Sequence, residues 1–268
     1  MLRERRLHAG FTLIELLVVI AVISILMGLA MPGLARARAT ARSLQCTSNL
    51  RQLGYGWQTY ADENNGYCMP QAWSDVDPAV YWWGTNGDPA DHTRGLIYPY
   101  LGVDTGVDTV FDCPQQPFGT YIAQGVARGP TTTYGYNGLY LCPPHSRWEF
   151  GIATGAAGWL TSDQIESASR VFVFADTLLD YSITQGRLLS NNCLLDGPET
   201  PGGSSWRANR SPTLCFRHND AACVFFADSH VERIHRSRAH IVCEPGSIGY
   251  VGEDNAPHYV PNRASWFR

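Results

Sequence analysis

The sequence predicts an α+β protein: a long N-terminal α-helix, transmembrane in its first half, whose outer half packs on the antiparallel β-sheet of a globular domain. Three observations carry this. Phe11 to Met31 is a run of 21 residues in which Glu15 is the one charge. At about 1.5 Å per residue it makes roughly 31 Å of helix, enough to cross a hydrocarbon core of about 30 Å. Beyond it, Ala39, Ser43, Cys46, Leu50, Leu53, Trp57 and Tyr60 recur at spacings of four and three, which is one face of a helix. Finally, Val171-Phe172-Val173-Phe174-Ala175-Asp176 and Cys223-Val224-Phe225-Phe226-Ala227-Asp228 are short apolar runs of β-type, each ending in Asp and bounded by turn residues.

The chain opens with MLRERRLHAG, which carries Arg3, Arg5 and Arg6. A secretory signal also opens on basic residues, but its apolar region is only about 7–15 residues long and ends at a small-residue cleavage site. Here Gly10 precedes the apolar run, and the carboxylate of Glu15 lies inside it. A carboxylate at membrane depth is expensive, so its presence points to a function. The near flanks carry three arginines each, Arg3, Arg5 and Arg6 against Arg36, Arg38 and Arg42, so charge alone does not orient the span.

Gly10-Phe11-Thr12-Leu13-Ile14-Glu15-Leu16-Leu17-Val18-Val19-Ile20, behind a short basic leader, resembles the prepilin leader of type IV pilins and type II secretion pseudopilins. The resemblance implies cleavage between Gly10 and Phe11 on the cytoplasmic face by a prepilin peptidase, with N-methylation of Phe11 by the same processing. It implies that Glu15 pairs with the Phe11 amine of a neighbouring subunit as a filament grows. It also implies an inner-membrane assembly platform as partner and a single-pass anchor with the C-terminal domain outside the cytoplasm. Pro32, between Gly28 and Gly33, matches a proline of the family helix and is expected to kink or loosen it.

The domains read as a leader, 1–10; the membrane half of the helix, 11–31; its outer half, 32–66, with Asn65-Gly66 as a left-handed C-terminal cap; and a β-rich head, 67–268. Of 268 residues 44% are hydrophobic and 16% charged, with net charge −4. That fits a globular head and, with no long basic patch, excludes a nucleic-acid partner. The eight cysteines all follow the span and contain no CxxC pair or zinc-type spacing. An even count in an exported chain favours disulfides.

Residues 67–130 read as long loops with short strands at Pro70–Trp73, Val80–Trp83 and Val110–Asp112, and a helical turn at Leu96–Leu101. The Trp82-Trp83 pair suits either core packing or stacking against a carbohydrate. Residues 214–234 read as a three-strand meander turning at Asn219-Asp220. Centred on Asn219, its first hairpin sets Cys215 opposite Cys223, close enough for a cross-strand disulfide. Segment 186–212 reads as a surface excursion, and the tail 235–268 either wraps back on the sheet or lies free.

His218, nine intervening residues and Asp228 resemble the H-X9-DG signature of a large bacterial subfamily of prepilin-like proteins. Cys46-Thr47-Ser48-Asn49-Leu50-Arg51-Gln52-Leu53-Gly54 and Phe111-Asp112-Cys113-Pro114 agree with that subfamily. Ser229 departs from its Gly, so the turn there is expected to avoid a glycine-only conformation. The recurrence of Cys46 and Cys113 in such patterns implies a bridge between them. Asp176, His218 and Asp228, with His230, could bind Ca²⁺ through the carboxylates or a transition metal through His and carboxylate. The bland alternative is turn-forming carboxylates and a packed histidine.

No GxSxG, HExxH or phosphate-loop motif occurs, so the sequence offers no sign of an enzyme; the resemblance implies a filament subunit of a type II secretion-like or type IV pilus-like machine. Two rivals remain: a membrane-tethered polysaccharide-binding protein that never polymerises, and a tethered metal-dependent hydrolase at His218 and Asp228.

Overall fold

A computed structural model describes residues 12–73, 78–85, 91–102, 110–116, 132–142, 159–180, 189–202, 205–263 and 266. The chain divides into two compact units, one ending at Ala41 and one starting at Arg42. The helix α1, Leu13–Glu63, contributes to both and continues through Pro32, which therefore does not end it. From Leu13 to Leu34 its large apolar side chains are all 44–80% exposed.

In the second unit α1 buries Ser43, Cys46, Asn49, Leu50, Leu53, Gly54, Gly56, Trp57 and Ala61. Five of these are the residues of the periodic face, and Tyr60 beside them is half-buried. The helix stops as its sequence demands. Asn65 and Gly66 take left-handed backbone, φ 55° and 82°, and the Gly66 amide donates to Ala61 O at 2.8 Å.

Three two-residue strands, β1 (Ala72–Trp73), β2 (Val80–Tyr81) and β3 (Gly84–Thr85), form a small antiparallel sheet. The main sheet contains β4 (Tyr134–Tyr136) and β5 (Phe172–Asp176). After two small hairpins, β6 (Leu179–Asp180) with β7 (Leu189–Ser190) and β8 (Glu199–Pro201) with β9 (Trp206–Ala208), come β10 (Leu214–Cys215), β11 (Ala221–Phe226) and β12 (Val231–His235). The last two strands are β13 (Ala239–Cys243) and β14 (Ile248–Val251). The four-stranded order is β12-β11-β5-β4, antiparallel throughout.

This sheet is covered on both faces. Cys223, Phe225 and Phe174 share one core with Cys46, Leu50, Leu53 and Trp57 of α1. Ala222, Val224, Phe226 and Phe172 share the other with Tyr140, Tyr259 and Trp266. Burial on both faces is why β5 and β11 are continuous apolar runs with no polar alternation. The tail thus wraps back, and Trp266 is buried against the far face.

At Gly54 α1 packs directly on a sheet side chain. A Cβ there would lie within 2.1–2.5 Å of three ring carbons of the fully buried Phe225. Gly54→Ala is therefore expected to destabilise the protein by about 1–3 kcal/mol through overpacking. Phe225→Leu in the same chain should recover part of the loss, and thermal unfolding of the four variants of the cycle measures the coupling.

Several expectations need correction. The meander over 214–234 forms only between β11 and β12. β10 is hydrogen-bonded to β14 and not to β11. Asn219 and Asp220 both sit at positive φ, 51° and 58°, and the His218 amide donates to Ala221 O at 2.9 Å. This two-residue turn is centred between them, so Cys215 falls level with Val224 instead of Cys223. Cys215 joins Leu178, Cys243 and Ile248, while Cys223 joins the α1 core, so the Cys215–Cys223 pairing does not form. No strand forms at 110–112. Ser229 occupies the left-handed conformation it was expected to avoid, φ 77°. Its hydroxyl accepts a hydrogen bond from Gln58 of α1, which gives the side chain a use that Gly would lack.

Candidate functional site

Two places concentrate the predicted functional residues. At the start of α1, Gly10 and Phe11 lie outside the described residues. Glu15 stands in the first turn, and its Oε2 accepts from both Thr12 N and Thr12 Oγ1 at 2.8 Å. Thr12 Oγ1 accepts in return from the Glu15 amide at 3.3 Å. This reciprocal arrangement is a capping box, which satisfies donors that the helix leaves open at its start.

The second place is inside the head. β5 ends in Asp176, α1 supplies Cys46, the Asn219-Asp220 turn holds His218 and Arg217 ahead of it, and the segment 110–116 supplies Cys113. Ligand-type atoms of Cys46, Cys113, Asp176 and His218 all lie within 4.8 Å of one another, and all four residues are buried. Asp176 Oδ2 accepts from the Cys223 amide at 2.7 Å and lies 3.2 Å from His218 Nε2. Its Oδ1 lies 3.8 Å from Arg217 Nε. Arg217 donates through Nη2 to Thr133 O at 3.0 Å and Thr177 O at 2.6 Å. His218 Nδ1 lies 3.0 Å from Gln115 Oε1, an acceptor, which places a proton on Nδ1. His218 Nε2 is also 3.5 Å from Cys113 Sγ, and Cys113 Sγ is 2.6 Å from Cys46 Sγ.

Asp228 does not join this group. It lies at the β11–β12 turn, where Oδ1 is 2.5 Å from His230 Nδ1, and both side chains are partly exposed. The expected trio of Asp176, His218 and Asp228 is therefore a pair plus a surface residue. The sequence reading missed Arg217, Cys113 and Cys46 as neighbours of that pair, because no spacing pattern links four separate segments.

The charges follow from the geometry. Burial alone would raise the Asp176 carboxyl, but the His218 and Arg217 cations outweigh it and hold it below the usual range. Burial disfavours the His218 imidazolium, yet Asp176 overrides this and lifts it to about 9. Burial also works against ionisation of Cys113, and the contacts with Cys46, His218 and Arg217 bring its thiol down overall.

The donor set does not suit Ca²⁺, which takes six to eight oxygens, because only Asp176 offers carboxylate oxygens here. Nor does it suit a tetrahedral zinc ion as it stands. Two thiolates at about 2.3 Å from one zinc are roughly 3.8 Å apart, against the 2.6 Å between these sulfurs. An open cavity of about 430 Å³ is lined by Gln115, Arg217, Asn219, Asp220 and Ser247, but by neither Cys113 nor His218.

The ion pair has a pH signature. His218 at about 9 is raised above its unperturbed 6.5, so its contribution is fully present below pH 6.5 and disappears as pH rises through 9. Facing it are Asp176, Cys113 and Gln115. The leading favourable cause is Asp176, and contact with Cys113 adds to it. Stability should fall by up to about 3 kcal/mol as pH rises from 6.5 to 9, and fall again below the ordinary carboxylate range as Asp176 protonates. Thermal melts of His218→Gln should lose the alkaline slope; an unchanged slope would refute the assignment.

The family described as the prokaryotic N-terminal methylation motif matches residues 5–31. Over 88 residues the chain is 36% identical to the type IV wide pilus major component PilA4 of Thermus thermophilus. The match covers 33% of this chain and 63% of that protein, so it spans less than two thirds of the relative. No solved structure matches.

Proposed function

We propose that this chain, type IV pilin-like by its N-terminal motif and its relative, is a subunit of a membrane-anchored filament. A prepilin peptidase removes the leader after Gly10 and Phe11 is N-methylated. The apolar half of α1 holds the subunit in the cytoplasmic membrane with the head outside, and the assembly platform then packs it among other pilin-type subunits. Glu15 meets the Phe11 amine of a neighbour. The filament is of the type II secretion-like or type IV pilus-like kind.

One observation supports this above the others. The helix from Leu13 to Leu34 is apolar on every side, and none of its large apolar side chains is buried. A helix that is hydrophobic all round belongs in lipid or among other helices. The second unit meanwhile closes its own cores, so it does not need that surface to fold.

The carbohydrate-binding rival loses its platform. Trp82 and Trp83 are 0% and 1% exposed, with Trp82 packed on Phe111, Tyr136 and Phe174. Buried rings cannot stack on a sugar from solution.

The test is the mature terminus and the company the protein keeps. Mass spectrometry of native protein should find N-methyl-Phe11 as the first residue, and shearing should release the protein in sedimentable filaments. An unprocessed terminus, or processed protein confined to membranes, would overturn the reading.

A further inference from the structure

We propose that Cys46 and Cys113 are joined by a disulfide that staples α1 to the 110–116 segment inside the head. The two sulfurs lie 2.6 Å apart. Non-bonded sulfurs cannot sit that close, and neither can two thiolates on one zinc, which need roughly 3.8 Å. An S–S bond of about 2.05 Å is the nearer state, requiring a shift of about half an ångström instead of more than one. The surroundings agree. Cys46 is in the buried face of α1, and the peptide of Cys113 is anchored by its amide donating to Thr133 Oγ1 at 2.6 Å. Asn49, one turn from Cys46, donates to Asp112 O at 3.1 Å, beside Cys113. Helix and segment are therefore already hydrogen-bonded to each other beside the sulfurs.

His218 and Asp176 do not argue for a metal in their place. Each already has a partner that uses its charge: the imidazole bridges Asp176 and Gln115, and the carboxylate faces Arg217 and the Cys223 amide. They close one side of the sulfur pair with an ion pair that is complete without a metal.

Oxidation requires an acceptor. Two thiols become one S–S bond, and their two electrons and two protons reduce the disulfide of a thiol–disulfide exchange partner to two thiols. Both sulfurs are fully buried in the finished head. The exchange thus takes place while α1 is still docking, and afterwards soluble reductants cannot reach the bond. Cys46 and Cys113 are separated by 67 residues, so the staple closes a long loop and removes much of the unfolded chain's freedom. The proposal rests on the filament reading in one respect, the head lying outside the cytoplasm, where such partners operate.

The experiment quenches intact cells directly into denaturant containing an alkylating agent, which reaches buried thiols, then digests the full-length protein without reduction. The Cys46 and Cys113 peptides should be recovered linked, with neither alkylated, and the metal content of the purified protein should show no stoichiometric zinc. Both cysteines alkylated, or one zinc per chain with both thiols free, would overturn the proposal. The same digest reports the terminus: linked cysteines without N-methyl-Phe11 would break the filament reading alone, and N-methyl-Phe11 with free cysteines would break the staple alone. Cys46→Ser with Cys113→Ser should lower the unfolding midpoint by about 5–15 °C. Peptide mapping decides the matter even where that variant fails to fold.

Discussion

Glu15→Gln should be excluded from filaments as completely as Glu15→Ala, while cleavage after Gly10 persists in both. The carboxylate has two candidate tasks. It closes the first turn of α1 by accepting from Thr12 N and Oγ1 at 2.8 Å. In the filament reading it also neutralises the amine of a neighbouring Phe11. The two tasks separate by substitution, because glutamine serves a capping box as well as glutamate does but carries no charge. An amine placed among apolar helices needs an opposite charge, since in low dielectric an ion pair is strong and an unpaired ion is costly. If charge is the requirement, Gln fails like Ala. If the cap is the requirement, Gln assembles and Ala does not. The readout is the share of processed protein in the sheared filament fraction, with the terminal mass checked in each variant. Normal incorporation of Glu15→Gln would remove the pairing role.

What was legible in the sequence had a local cause. The α1 face followed from 3.6-residue periodicity, and Ser43, Cys46, Leu50, Leu53 and Trp57 are buried as that pattern requires. β5 and β11 followed from their apolar runs, and the end of α1 from Asn65-Gly66. What failed depended on pairing at long range. β10 looks like the partner of β11 because the two are adjacent in sequence, yet β14, more than thirty residues on, takes its hydrogen bonds. A half-residue error in centring the Asn219-Asp220 turn moved Cys215 to the wrong face, because strand side chains alternate with period two. Asp228 and Asp176 end similar runs on central strands, but Asp176 is still inside β5 whereas β11 stops at Phe226, which leaves Asp228 in the exposed turn beyond it. Gly54 stands in a motif whose physical reason, the Phe225 ring, lies 171 positions away and leaves no trace in local sequence.

Asp176→Ala should collapse the head. Asp176 is fully buried and is the counter-charge for both Arg217 and His218. Removing it strands the Arg217 guanidinium, itself nearly buried, with no carboxylate in its place. Losing one partner of a buried pair costs about 3–5 kcal/mol, because the remaining ion keeps its desolvation penalty. The Cys223 amide loses its acceptor at the same time. That total is a large share of the 5–15 kcal/mol by which a domain is typically stable. Asp176→Asn restores an oxygen for the Cys223 amide but not the charge, so it should fall between wild type and Asp176→Ala. Adding Arg217→Met to Asp176→Ala removes the stranded ion and should recover part of the loss, even though it deletes two further hydrogen bonds to Thr133 and Thr177. Thermal unfolding of the detergent-solubilised proteins measures all four. If Asp176→Ala melted within about 1 kcal/mol of wild type, the charge network would not be what holds β5, the Asn219-Asp220 turn and the sulfur pair together. A double variant no better than Asp176→Ala would place the cost in the lost acceptor and not in the stranded cation.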